Sequence, residues 1–148
     1  MARSTFFSFH YQRDIWRVNQ IRNLPNVLGK SAAGFADASL WEEAKRKSDA
    51  AIKKLIDDGL ERTTVTVVCI GAKTAGRKYI NYEIEQSIAR GNGIIGIKIH
   101  HLKNEKGEID DDGDIPYKLT SNGYKVRKYT NATDLARWIE EAGQAVGK

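Results

Sequence analysis

The chain has 148 residues, 41% of them hydrophobic and 29% charged, with only 2 prolines; this fits one domain spanning 1–148 and excludes a disordered or fibrous composition. Lys plus Arg number 24 against 19 Asp plus Glu, a net charge of +5 that suits an anionic partner without choosing one. A single cysteine, Cys69, excludes an intramolecular disulfide framework, and no apolar run reads as a signal peptide or membrane span, so a cytoplasmic protein is expected.

Strand and helix patterns alternate along the chain. Thr5 to His10 is aromatic-rich and reads as a first strand, after which Asp14 opens a helix through Ile15, Val18 and Ile21. Residues 23–40, with Pro25, Gly29 and Gly34, form a long connection with room for a short strand near Phe35. From Trp41 to Asp58, apolar residues recur at three and four, and Gly59 is placed to stop that helix. Thr64 to Ile70 is dense in β-branched residues, as a central strand covered on both faces should be. A helix from Tyr79 to Arg90, a Gly91-Asn92-Gly93 turn and a buried strand from Ile94 to Ile99 follow. Tyr124 to Tyr129 reads as the last strand and Ala132 to Val146 as the last helix.

This alternation predicts an α/β, flavodoxin-like single domain: a parallel sheet with helices on both faces. Ligands of such sheets bind beyond the carboxyl ends of the strands, near the point where strand order reverses. The loops after His10, Ile70 and Ile99 are therefore the expected site.

Several motifs fail on inspection. Gly29-Lys30-Ser31 lacks the glycine that a phosphate-binding loop needs at Leu24, and Gly91 and Gly93 precede a strand rather than opening a helix, so neither a P-loop nor a dinucleotide fingerprint is present. Glu108, Asp110, Asp112 and Gly113 follow the start of a calcium loop, but its closing glutamate is replaced by Leu119. The histidines never reach metal-ligand spacing, so no metal is expected. Ser8 and His10 share one side of a strand without a nucleophile elbow, and Cys69 sits inside an apolar strand. The basic face of the Trp41 to Asp58 helix has no DNA-binding motif beside it, so no nucleic acid is expected.

Phe6-Phe7-Ser8-Phe9-His10-Tyr11, Trp16-Arg17-Val18-Asn19-Gln20-Ile21-Arg22-Asn23 and Ser31 to Glu42, with Asp37-Ala38-Ser39-Leu40-Trp41 inside it, resemble the ThsB-type TIR-like proteins of the Thoeris antiphage system. The resemblance continues through Val67 to Ile70, Tyr82-Glu83-Ile84 and Gly91 to Ile97, about two-thirds of the chain in order. It implies a TIR fold and an enzyme that breaks the nicotinamide–ribose bond of NAD. NAD is then a substrate, with no separate cofactor. Tyr79-Ile80-Asn81-Tyr82-Glu83 stands where catalytic TIR domains carry W-C-x-x-E; Tyr replaces Trp and Ile replaces Cys, while the glutamate is kept.

On that resemblance Glu83 is the candidate catalytic residue, stabilising positive charge on the ribose as the pyridine leaves. We expect it in the first turn of its helix, where the dipole favours an anion. Ser8, Phe9, His10 and Tyr11 leave the first strand beside it as substrate-binding candidates, with core packing the competing reading for Phe9. Asp37, Trp41 and Tyr79 complete the set, and Arg13, Arg17 and Arg22 offer charge for a pyrophosphate. The resemblance further implies a cyclic ADP-ribose isomer made as a messenger for a separate effector protein of the same defence system. It leaves room for self-assembly and a phage-derived trigger. Plain hydrolysis to ADP-ribose and a non-enzymatic adaptor role remain open on the sequence.

Overall fold

The computed structural model describes residues 3–22 and 46–148, and within them four parallel strands form one sheet. β1 (Thr5–Ser8) pairs with β2 (Val65–Ile70), β2 with β3 (Gly93–Lys98), and β3 with β4 (Val126–Lys128). The register aligns Ser8 with Val68 and Val68 with Gly96. The helices are α1 (Tyr11–Arg22), α2 (Asp49–Leu60), α3 (Lys78–Ala89), the short α4 (Tyr117–Ser121) and α5 (Ala132–Ala145). The α/β, parallel, helix-covered architecture is as expected. The described strands run in sequence order, so the reversal point we expected is not seen among them.

Alternation along the strands assigns the two faces. Val68, Ile70 and Ile94 cluster with Ile80 and Ile84 of α3 and Leu119 of α4. Val65, Val67, Cys69, Ile95 and Ile97 join a larger cluster with Val18 and Ile21 of α1 and Leu135, Trp138 and Ile139 of α5. Cys69 is thus a small core hydrophobe. β2 is buried at all six positions, which its run of β-branched residues suits.

Element boundaries differ from the sequence pattern in informative places. α1 begins at Tyr11, so Asp14 lies inside its first turn instead of opening it. Ser48, read as mid-helix, is the N-cap of α2: its hydroxyl accepts from the Ala51 amide at 3.1 Å. α2 runs through Gly59 to Leu60, so that glycine does not stop it. The start of the expected helix at Trp41, and the strand expected near Phe35, lie outside the described residues. α4 carries no sequence signal of its own beyond Leu119, whose side chain is fully buried. No described helix is long and apolar enough to cross a membrane.

Candidate active site

α3 turns Ile80, Glu83, Ile84 and Ser87 toward the sheet, at the spacing of three and four that makes one helix face. A carboxyl therefore occupies a core position. Glu83 is 1% exposed, and its Oε1 accepts a hydrogen bond of 2.7 Å from the Ser8 hydroxyl at the carboxyl end of β1. Its Oε2 is buried with no hydrogen-bond partner among the described residues. A second polar link fixes the same helix one turn later: Ser87 donates to the Glu83 carbonyl and lies 2.7 Å from the Thr66 hydroxyl on β2, and the Asn92 side chain donates to the Thr66 and Thr63 hydroxyls.

Burial pushes the Glu83 carboxyl up to about 8, and only the Ser8 hydrogen bond opposes that shift. The first-turn placement we expected does not hold. α3 starts at Lys78, so Glu83 falls in the second turn, beyond the reach of the terminal dipole. Burial therefore favours the neutral acid in the resting side chain. A cation brought against the unpaired oxygen would convert it to a carboxylate.

The other candidates distribute unevenly around this carboxyl. Ser8 is in direct contact with it. His10 follows β1 and is half-buried, while Phe9 is 2% exposed and packs in the core cluster. Tyr79, one turn before Glu83 on α3, donates its hydroxyl to Asp49 of α2 at 2.6 Å. Lys78 and Tyr79 together hold the Asp49 carboxyl well below its usual range. The side chain of Tyr11, and all of Asp37 and Trp41, lie outside the described residues.

Two arginines that we expected near a pyrophosphate are engaged elsewhere. Arg13 forms a paired contact with Asp110 at 2.8 and 3.0 Å. Arg17 is 2% exposed and joins Asp14 to the Leu102 and Glu108 carbonyls, tying α1 to the loop after β3. The acidic turn that mimicked a calcium loop serves the same tether through Asp110, and through Asp112, which pairs with Lys98 at 3.0 Å. Asp14 was missed in the sequence: it is fully buried, raised by burial to about 6, and its Oδ2 abuts the α-carbon of Gly71 at the end of β2.

Sheet, crossovers and a carboxyl buried at the carboxyl end of the first strand together define a TIR-like α/β domain. The comparisons make the class specific. Residues 6–104 match the family described as Thoeris protein ThsB, TIR-like domain, and the chain belongs to that family. It is also 48% identical over 136 residues to a Bacillus cereus (strain MSX-D12) protein named "Putative cyclic ADP-D-ribose synthase ThsB1", covering 87% of this chain and 71% of that one.

Proposed function

We propose that this chain cleaves NAD at the nicotinamide–ribose bond and closes the remaining ADP-ribose into a cyclic isomer. The observation that carries the reading is the Glu83 carboxyl, buried at the carboxyl end of β1 with one oxygen held by Ser8 and the other unpaired. Membership of the ThsB family and the name of the Bacillus cereus relative support it.

The chemistry follows from charge. The bond between the ribose carbon and the pyridinium nitrogen breaks with its electron pair going to nicotinamide, so the positive charge moves from the ring to the sugar. Glu83, whose neutral form burial favours, ionises as the cationic ring arrives and then faces the oxocarbenium-like carbon. Burial, which penalises the free carboxylate, also strengthens its attraction to that charge. A hydroxyl of the same ADP-ribose then bonds to the sugar carbon and loses its proton to solvent, or an adenine ring nitrogen bonds and the neighbouring amino group loses one, which closes the cycle. Cyclisation requires water to be kept out, and this is the service we assign to the residues around Ser8 and His10. The ring of Tyr79, whose hydroxyl is held by Asp49, is offered for stacking on a base. The side chains of Tyr11, Asp37 and Trp41 are assigned to the same pocket on the family pattern alone.

The product would act as a messenger on a separate effector of the defence system. Self-assembly or a phage-derived component would switch the enzyme on. Chromatography of NAD incubated with the parent and with Glu83→Gln, with and without infected-cell extract, tests the reading. Nicotinamide and a cyclic nucleotide from the parent alone are expected. Linear ADP-ribose in place of the cycle would make it a plain hydrolase, and no nicotinamide under either condition would leave an adaptor.

A further inference from the structure

At the amino-terminal end of β3, a cavity of about 170 Å³ opens between β3, the segment leading into β4 and the end of α5. Its walls are Ile94, Ile95, Tyr124, Trp138 and Ala142, with Ala145 among the exposed residues at its edge. Two cations, Lys125 and Arg127, and one carboxylate, Glu141, also line it. Arg127 aligns with Ile97 in the β3–β4 register and stacks its guanidinium 5.3 Å over the Trp138 ring. Its Nε is buried and has no acceptor among the described residues. None of the three charges forms an ion pair there among the described residues.

The Arg127 side chain makes no hydrogen bond or ion pair among the described residues, and a cation held against an indole at the wall of a cavity is open to an anion there. Exposure narrows the choice. Lys125 and Glu141 are exposed to solvent, which leaves Arg127 as the cation held against the apolar walls, and one anionic group pairs it. The apolar walls and the indole call for a flat hydrocarbon body. The volume is below the roughly 300 Å³ at which pockets for drug-sized molecules begin, so one ring and one acid group fill it.

We propose that this cavity, which Glu83 does not line, is a second binding site for a small aromatic monocarboxylate. Its acid group would pair with the guanidinium of Arg127 where that group lines the cavity, and its ring would lie against Trp138. Because the occupant would touch β3 and α5, the site is placed to act as an effector site. The proposal does not depend on what Glu83 does.

The test is an NMR titration of the ¹⁵N-labelled chain with sodium benzoate at constant ionic strength, read at the Trp138 indole N–H. The chain has 3 tryptophans, so Trp16→Phe and Trp41→Phe identify that signal. Saturable movement with benzoate is expected, with benzamide, the neutral isostere, binding about tenfold more weakly. Arg127→Gln should lower benzoate to the benzamide level. Ala145→Phe, at an exposed position beside the mouth, should block both. Equal binding of the acid and the amide, full binding in either variant, or an indole signal that stays still would overturn the proposal.

Discussion

Ser8 and Glu83 are 75 residues apart in the chain, yet the serine hydroxyl donates to the glutamate at 2.7 Å inside the protein. The bond does two things at once. It joins α3 to the end of β1, and it is the one contact that pulls the carboxyl down against the burial that raises it. Removing the donor should therefore move the ionisation of Glu83 further up without displacing the helix, which Ser87 and the Ile80 and Ile84 contacts still hold.

That gives a first prediction, on rate. The pH dependence of kcat/KM reports groups of the free enzyme, so NAD cleavage should rise about tenfold per pH unit while Glu83 is mostly protonated and level off near about 8. In Ser8→Ala the rising limb should shift to higher pH. Steady-state kinetics across the range would show it, and an unchanged midpoint in Ser8→Ala would mean that another group controls the profile.

The same ionisation predicts stability. The folded value of about 8 exceeds the 4.5 of an ordinary glutamate, so between them the native state holds a proton that the unfolded state has lost. The contribution is fully present below about 4.5 and is lost as pH rises through about 8. Each pH unit crossed costs about 1.4 kcal/mol from this group. Glu83→Gln has no such proton to lose. Its melting temperature should therefore fall less than the parent's between acid and alkaline buffer, and the variant should be the more stable protein above about 8. Parallel melting curves for the two proteins would contradict the assignment.

Glu83 also shows how much was legible beforehand. The helix was readable, and the spacing Ile80, Glu83, Ile84, Ser87 already placed a carboxyl on a core-facing stripe, where an acid is rare without a task. β2 was readable because its β-branched run admits little else. The turn in which Glu83 sits was misjudged by counting: even from the expected start at Tyr79 it is the fifth helical residue, and α3 begins one residue earlier at Lys78. Ser48 was read through as helix interior because the apolar period continues across it, although a serine before Asp49 is a start signal in its own right. The Asp14–Arg17 tether had no local pattern to reveal it. Its partners at Leu102, Glu108 and Gly71 come from distant loops, and only the fold brings them together.

Tyr79 separates two roles that its position combines. Its hydroxyl joins α3 to Asp49 of α2, and under the proposed function its ring is the part that would stack on substrate. Tyr79→Phe should therefore leave the KM for NAD within about twofold while hydrogen exchange in the first turn of α2 speeds up. Tyr79→Ala should raise KM as well. Kinetics paired with exchange mass spectrometry distinguishes them, and a tenfold rise in KM from Tyr79→Phe alone would assign the hydroxyl to the substrate instead.

Gly71 and Asp14 approach closely at the carboxyl end of the sheet. A β-carbon on residue 71 would lie 2.3 Å from Asp14 Oδ2 and 2.8 Å from its Cγ, so a methyl group there must displace a fully buried carboxyl that also anchors Arg17. Gly71→Ala should cost about 1–3 kcal/mol as overpacking. Asp14→Ala should cost about 3 kcal/mol, the low end for breaking a buried pair, because Arg17 loses its nearer carboxylate and keeps Asp110 at 3.8 Å. The double variant should fall well short of the sum, since the methyl then occupies space that the carboxyl has vacated. Urea denaturation of the four proteins measures the coupling. Strict additivity would show that the strain at residue 71 is relieved elsewhere and that Asp14 does not set the width of that edge.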